Sequence, residues 1–399
     1  MPSALLKGVR VLDLSRTVAA PSAAQMLGDF GAEVIKIERP GGGDEGRAIG
    51  PTFLKDRDGK TTGEGSMYLA ANRNKRGITA NLSTAGGREI VRRLVAVSDV
   101  LIENYKVGDM AKFDLGYDAL RNVNPGLIYC SVTGYGQTGP YSSRPGYDPI
   151  FQAMGGWMSL NGRSDEHPLL AASNPVDTAT GYHAALAILA ALYHRDRHQG
   201  EGQFIDVALL DVAIAAYSHR ALDYLLTAQQ PARRGTRGQV YPCQDGSVLI
   251  ALANKGQWIR FCEIIGREDI ANDPRYDNHP GRLKNAGELY PQLEAETRKR
   301  TVADLSAALD QANIPFGPIY DFPHLFADPQ VISRNIAVDI PHPLSGKMRM
   351  VANPIKFSST PIEDYAPPPL LGEHQQEILA GLLGMSTDEI LALHAEGAI

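Results

Sequence analysis

The sequence predicts an α/β protein built on a parallel sheet, with a second, smaller domain of mixed α and β structure. Two observations carry this. Through the first half, short buried strand-like runs alternate with helix-like segments, the pattern of a parallel sheet with right-handed crossovers. The chain has 399 residues, which points to at least two domains, and its character changes near residue 230, where a basic, glycine-containing stretch leads into a helix-rich region.

In chain order, the apolar run Val9-Arg10-Val11-Leu12-Asp13-Leu14 reads as a first strand. A helix follows over 23–30, stopped by Gly31, and then a strand over 33–37. The pattern repeats as helix 87–97, strand Val100-Leu101-Ile102-Glu103, helix 117–123 and strand 127–132. Ligands of such sheets gather beyond the carboxyl ends of the strands, so the segments after Leu14, Ile37, Glu103 and Val132 are where a site is expected. Periodicity predicts one long helix over 207–227, and Gln230-Pro231 with Arg233-Arg234-Gly235-Thr236-Arg237-Gly238 reads as a crossing between domains. The turn Asp245-Gly246 precedes a strand over 248–252, and helices run to about residue 335. Pro367-Pro368-Pro369 makes a stiff break before a final amphipathic stretch, 375–394. The expected boundaries are 1–205 with 346–399 for the large domain, 206–230 for a helical linker and 231–345 for the small domain.

Hydrophobic residues make up 43% and charged residues 21%, an ordinary globular balance, and the net charge of -6 gives no general attraction to nucleic acid or to anionic membrane. Any anionic ligand must then be held by a local basic pocket. Cys130, Cys243 and Cys262 lie far apart without metal-like spacing, so buried thiols, no metal site and a reducing cytoplasmic setting are expected. The first residues lack the pattern of a signal peptide, and no apolar run approaches the roughly 20 residues that span a bilayer.

Asp177 stands in Asn174-Pro175-Val176-Asp177-Thr178-Ala179-Thr180-Gly181, just before an apolar helix expected over 182–192. An aspartate there reads as an N-cap. The same N–H groups and helix dipole would keep the carboxylate ionised, as a carboxylate nucleophile requires. Such a nucleophile exchanges thioesters with neither metal nor general base, and backbone N–H groups of glycine turns would stabilise its tetrahedral intermediates. Three other segments have two readings each. Arg39 with Gly41-Gly42-Gly43 is a flexible turn or a phosphate loop, though it matches neither nucleotide fingerprint. Arg73-Asn74-Lys75-Arg76 reads most simply as a solvated loop. Gly134-Tyr135-Gly136-Gln137-Thr138-Gly139-Pro140 is a turn or a site beyond a strand tip.

In their order and number these segments resemble family III CoA-transferases over nearly the whole chain. The likeness is carried by Val11–Leu14, Gly31-Ala32-Glu33-Val34-Ile35-Lys36-Ile37-Glu38-Arg39-Pro40, 72–77, Ile102-Glu103-Asn104-Tyr105, 129–140, Arg144-Pro145-Gly146-Tyr147-Asp148, Asp177 and 367–374. It implies a Rossmann-like large domain completed by the C-terminal segment, a small domain, and a homodimer of interlocked chains. It implies Asp177 as nucleophile, coenzyme A as substrate with no tightly bound cofactor, and a CoA site formed by Val18, Ala19, Arg39, Ala80, Asn81, Leu82, Asn104, Tyr105, Lys112, Gly146, Tyr147 and Asp148.

Within the family the chain is similar to dicarboxylate CoA-transferases of the succinyl-CoA:glutarate type, through 128–140, Phe316-Gly317-Pro318, 326–331 and 367–372. That implies a substrate carboxylate held by Arg16, Arg144 or Arg237. Lys112 stands where an arginine is usual and Ser83 where one branch has a lysine, which weakens the expected phosphate grip. Gly235–Gln239 replaces that branch's glycine-rich closing loop, and a stiffer segment is expected. The alternatives are an α-methylacyl-CoA racemase, whose histidine base falls at Tyr147, a poor base at neutral pH, and a CoA-binding protein without turnover.

Overall fold

The computed structural model describes residues 5–162, 167–198, 200–231 and 238–399, and these form two compact units. The larger holds residues up to 159, 169–231 and 335–399; the smaller holds 160–168 and 232–334.

The larger unit is organised by a six-stranded sheet of β1 (Arg10–Asp13), β2 (Glu33–Glu38), β5 (Lys75–Thr79), β6 (Val100–Glu103), β7 (Ile128–Thr133) and β8 (Phe204–Ala208). Every neighbour pair is parallel and the order is β5-β2-β1-β6-β7-β8. The chain winds outward from β1 in one direction and then from β6 in the other, so the crevice between β1 and β6 is the topological switch point, where ligands of doubly wound sheets bind. Alternation along the strands sorts the core into two faces. Val11, Val34, Ile102 and Cys130 meet helices Ala19–Asp29 and Pro175–Arg197 on one side. Leu12, Ile35, Leu101 and Tyr129 meet helix Ala85–Val95 and the C-terminal Ile378, Leu379 and Leu393 on the other. The C-terminal segment also bonds the β5 edge, with His374 N donating to Gly77 O at 2.9 Å and Asn81 N to Ala398 O at 2.8 Å.

Two antiparallel hairpins complete this unit: β3 (Phe53–Lys55) with β4 (Thr61–Gly65), and β12 (Ala337–His342) with β13 (Gly346–Val351). The smaller unit has an antiparallel sheet of β9 (Gly238–Pro242), β10 (Ser247–Ala251) and β11 (Phe316–Pro318), packed with helices around Trp258, Phe261 and Leu305.

The structure departs from the expected elements in three places. The predicted helix 207–227 is strand β8 followed by helices Leu209–Ala216 and Ser218–Thr227. Because β8 pairs with β7 from Phe204 to Ala208, the segment expected as a linker belongs to the larger unit. The return to that unit falls at Asn335, ahead of the β12–β13 hairpin, and not at 346. The expected final helix is broken into a π-helical turn, Glu377–Leu382, and helix Thr387–Glu396, which starts at a capping box on Ser386 and Glu389. The cysteines are buried and unpaired, and among the described residues no helix is long and apolar enough to cross a membrane.

Candidate active site

At the switch point, the turn after β1 is held from both sides. Asn104, just past β6, accepts from Arg16 N and donates to Arg16 O, both at 2.9 Å. Thr17 adopts φ +73°, a left-handed conformation that strains a β-branched residue by about 1–3 kcal/mol. Its N–H is pinned to Asp44 Oδ1 at 2.9 Å. This turn leads into Val18 and Ala19, at the start of helix Ala19–Asp29.

Beneath it lies a buried charge cluster. Lys75 Nζ donates to Asp13 Oδ2 at 2.7 Å, and Lys36 Nζ sits 3.0 Å from Asp44 Oδ2 and 3.8 Å from Asp13 Oδ2. Lys36 also donates to Ser15 O at 2.8 Å, tying the cluster to the turn above. Burial alone would raise the Asp13 pKa, but the ammonium groups of Lys36 and Lys75 hold it below the ordinary value. Burial, with Lys36 nearby, depresses Lys75 to about 8. The run 73–76 is therefore no solvated loop: Arg73 is buried on Asp29, and Lys75 is buried on Asp13. The sequence hid this because the aspartates that recruit these cations come from other elements.

The Arg39 loop is also built in. Gly41 and Gly43 have φ of +75° and +64°, and a Cβ at Gly43 would stand 2.8 Å from Glu38 Oε2. Glu38 accepts from Asp44 N at 2.8 Å and from Arg47 at 2.7 Å. Arg47 in turn binds Glu64 and stacks on Tyr68, 3.7 Å from the ring centroid. The expected flexible turn is thus pinned at its base. Above it, Glu45 lies 3.0 Å from Arg16 and 4.0 Å from Arg39, and Arg16 lies 4.8 Å from the Tyr105 ring centroid.

Arg16, Val18, Ala19, Arg39, Asn104 and Tyr105 therefore follow the tips of β1, β2 and β6. Ala80, Asn81 and Leu82 follow the β5 tip, where Asn81 is bonded to the C-terminal segment. Lys112 is largely exposed and paired with Asp109 at 2.7 Å. Arg144 is exposed, 3.8 Å from the Tyr141 ring centroid. Arg237 lies outside the described residues.

Asp177 is not the N-cap. Helix Pro175–Arg197 begins earlier than expected, with Asn174 at the cap position and Asp177 third. Pro175 suits the first position, where its missing N–H costs nothing. Asn174 Nδ2 donates to Asp177 Oδ2 at 3.1 Å, while Asp177 N donates to Asp148 Oδ2 at 2.8 Å. Asp148 is fully buried, and its other oxygen accepts from Gln152 at 2.5 Å. Gln152 then accepts from Ala171 N at 3.0 Å, tethering the approach to the helix.

The helix start does not hold the Asp177 carboxylate at low pKa, as the sequence suggested. Burial first, and then the Asp148 charge, push it up to about 6 against the opposing Asn174 hydrogen bond. It remains mainly ionised at neutral pH and is more basic than an exposed aspartate, which favours nucleophilic attack. One turn on, a Cβ at Gly181 would meet Ala19 O at 2.6 Å, so glycine lets this helix lie against the start of helix Ala19–Asp29.

The glycine turn after β7 offers less than expected. Gly136 N donates to Thr133 Oγ1 and Gln137 N to Asp206 Oδ2, both at 2.9 Å, so these N–H groups serve the fold. Gly134 and Gly146 both pack against Phe151, where a Cβ would come within 2.7 and 2.3 Å. Tyr147 is 75% exposed. A cavity of 1210 Å³ adjoins the Asp177 segment, with Ser173, Asn174, Thr178 and Tyr182 in its wall. Sequence reasoning missed Asn174, Gln152, Glu45 and Asp44. The first of these was legible, since an Asn-Pro ahead of an apolar run is a helix-start signal.

Comparison with known proteins agrees with this geometry. The profile of CoA-transferase family III matches residues 6–375. The chain is 44% identical to the succinate–glutarate CoA-transferase of Agrobacterium fabrum, over 94% of this chain and 95% of that one. It is 36% identical to the human succinyl-CoA:glutarate CoA-transferase, over 99% and 90% of the two chains. It is 34% identical to the succinyl-CoA–D-citramalate CoA-transferase of Chloroflexus aurantiacus, over 100% and 99%. Among solved structures, a CAIB/BAIF family protein from Brucella suis superposes with a TM-score of 0.87 at 38% identity, covering 96% of this chain and 100% of that one. The switch-point crevice and the buried aspartate at a helix start thus belong to a chain whose full-length relatives are named CoA-transferases, and the protein belongs to CoA-transferase family III.

Proposed function

We propose that the enzyme moves CoA from succinyl-CoA, or another short dicarboxylyl-CoA, to a carboxylic acid acceptor through a CoA thioester on Asp177. The observation that carries this is the Asp177 carboxylate itself, lifted to about 6 by burial and Asp148 and held through one oxygen by Asn174. With Oδ2 engaged by Asn174, Oδ1 attacks the donor's thioester carbon; the C–S bond breaks, and CoA thiolate leaves a mixed anhydride. The thiolate attacks the Asp177 carbonyl carbon, expelling the donor as its free carboxylate. The acceptor carboxylate then attacks the aspartyl thioester and releases thiolate, which takes the acyl group and restores Asp177. Asp148 positions the nucleophile by accepting from its backbone N–H.

The diphosphate and 3′-phosphate of CoA would be met by Arg39 and Lys112 at the rim, with Val18, Ala19, Asn104 and Tyr105 along the switch-point crevice. The names of the relatives support short dicarboxylates as substrates. We assign the working form to an interlocked homodimer. Tyr182, Leu186 and Tyr193 line an exposed stripe of helix Pro175–Arg197, and helix Ser218–Thr227 exposes Leu222, Leu225 and Leu226, apolar surface of the kind a partner subunit covers.

The deciding experiment mixes the enzyme with succinyl-CoA, traps it with hydroxylamine or borohydride, and maps the modified residue by mass spectrometry. A tag on Asp177 is expected; unmodified Asp177 in turning-over enzyme sinks the mechanism. A racemase would instead exchange the α-hydrogen of a 2-methylacyl-CoA with deuterated water, and a scaffold would bind CoA without transfer to any acid.

A further inference from the structure

The buried glutamates of the larger unit are not all held alike. Glu38 and Glu64 share the Arg47 guanidinium. Glu103, the last residue of β6, is 4% exposed and is held by hydrogen bonds, with no ion pair among the described residues. It accepts from Tyr105 N at 2.7 Å and from the Ser131 hydroxyl of β7, and Ser131 Oγ accepts in turn from Gln137 Nε2 at 2.9 Å. These bonds tie the glycine turn after β7 to the Asn104–Tyr105 turn after β6. The Tyr105 ring then lies against Arg16, with its centroid 4.8 Å from the guanidinium carbon.

Burial pushes Glu103 up to about 7, against the Ser131 and Tyr105 hydrogen bonds and the Arg16 charge, and the Asp109 charge adds to the rise. Tyr129 and Cys130 beside it are pushed up by burial first and then by the charge of Glu103, to which Asp206 of β8 adds at Cys130, so both stay protonated. Lys106, Asp114 and Asp118 share with Glu103 the wall of a 610 Å³ hollow.

We propose that Glu103 is a positioning residue of the CoA site and takes up one proton from solvent when CoA binds. The inference rests on the placing of CoA along Asn104 and Tyr105 above. The phosphates bring negative charge to this turn and share the Arg16 charge that supports the carboxylate, while the ligand shields the turn from water. All three effects disfavour the ionised form. Neutral Glu103 keeps Tyr105 N on its carbonyl oxygen and donates its new O–H to Ser131 Oγ, so the turn holds its shape with CoA in place.

The test titrates CoA into the wild-type enzyme and into Glu103→Gln, each in its native assembly, by calorimetry at pH 6, 7 and 8 in two buffers of different ionisation enthalpy. Asp177 and the CoA 3′-phosphate titrate in both proteins, so the difference between them reports Glu103. At pH 7 the wild type is expected to take up about half a proton more than the variant. Its affinity is expected to fall roughly tenfold more between pH 6 and pH 8, as the protonated fraction of a group near 7 does. Ser131→Ala removes a bond to the ionised carboxylate and is expected to move that dependence to higher pH. Equal proton counts in wild type and Glu103→Gln, or a dependence that Ser131→Ala does not move, overturn the inference. So does a folded Glu103→Gln that binds CoA weakly at pH 6, because the neutral amide should there match the wild type. Tyr105→Ala separates the two ideas. If it weakens CoA binding while the proton counts are equal, only this inference falls; if it leaves CoA binding unchanged, the placing of CoA at this turn falls with it.

Discussion

Asp13 and Asp177 are both largely buried at the carboxyl edge of the sheet, yet they are driven in opposite directions. Asp13 lies 2.7 Å from Lys75 and 3.8 Å from Lys36, and is held below its ordinary pKa. Among the described residues the Asp177 carboxylate accepts from an asparagine amide and has a second aspartate nearby, and burial pushes it up to about 6. Burial is common to both, so the neighbours decide: the charge of Asp13 is compensated, and the carboxylate proposed as nucleophile is the under-compensated one.

The largest test of this contrast is Asp177→Asn. Turnover should fall at least about 10³-fold while CoA affinity, measured by calorimetry, changes little; near-normal exchange of acids would place the chemistry elsewhere. Asp13→Ala should act on the fold instead. It leaves Lys36 and Lys75 without their shared partner and should cost about 3–5 kcal/mol in urea denaturation, and an unchanged midpoint would show that the cluster is no scaffold.

The next effect concerns pH. The acid limb of kcat/KM should follow one ionisation near 6, the value to which Asp177 is raised. Asp148→Asn removes the neighbouring charge and should move that limb to lower pH; a limb that stays put would mean another group titrates. Stability carries the matching sign. A carboxyl raised in the folded state favours folding below its unfolded pKa, and that advantage is lost as pH rises through about 6. Asp177→Asn should therefore stabilise the protein more at pH 8 than at pH 5. The smallest effect belongs to Glu45, which lies 3.0 Å from Arg16 and 4.0 Å from Arg39. Glu45→Gln should tighten CoA binding about two- to threefold at low salt, with the gain vanishing at high salt as exposed charges are screened.

Much of the fold was legible from local pattern. Val100–Glu103 was read as the strand it is, and β1, β2 and β7 were placed within a residue or two. Their alternation with helices led to the strand tips where Arg16, Arg39 and Asn104 lie. The failures share a cause. The stretch 207–227 has helical periodicity, but its first two residues belong to a strand paired with β7, a partner about 75 residues away. The basic run 73–76 looks solvated until Asp13 and Asp29 are brought to it.

By itself the sequence determined the alternation of strands and helices, the aspartate at a helix start, and the glycines and prolines that set the turns. These depend on a residue's own backbone preferences and those of near neighbours, which the chain carries locally. Only the tertiary structure decided which aspartate has its charge compensated and which does not, and that a large apolar cavity adjoins the helix start of the second. Dielectric surroundings and charge neighbours come from elements distant in sequence, and they exist only once the chain has closed around them.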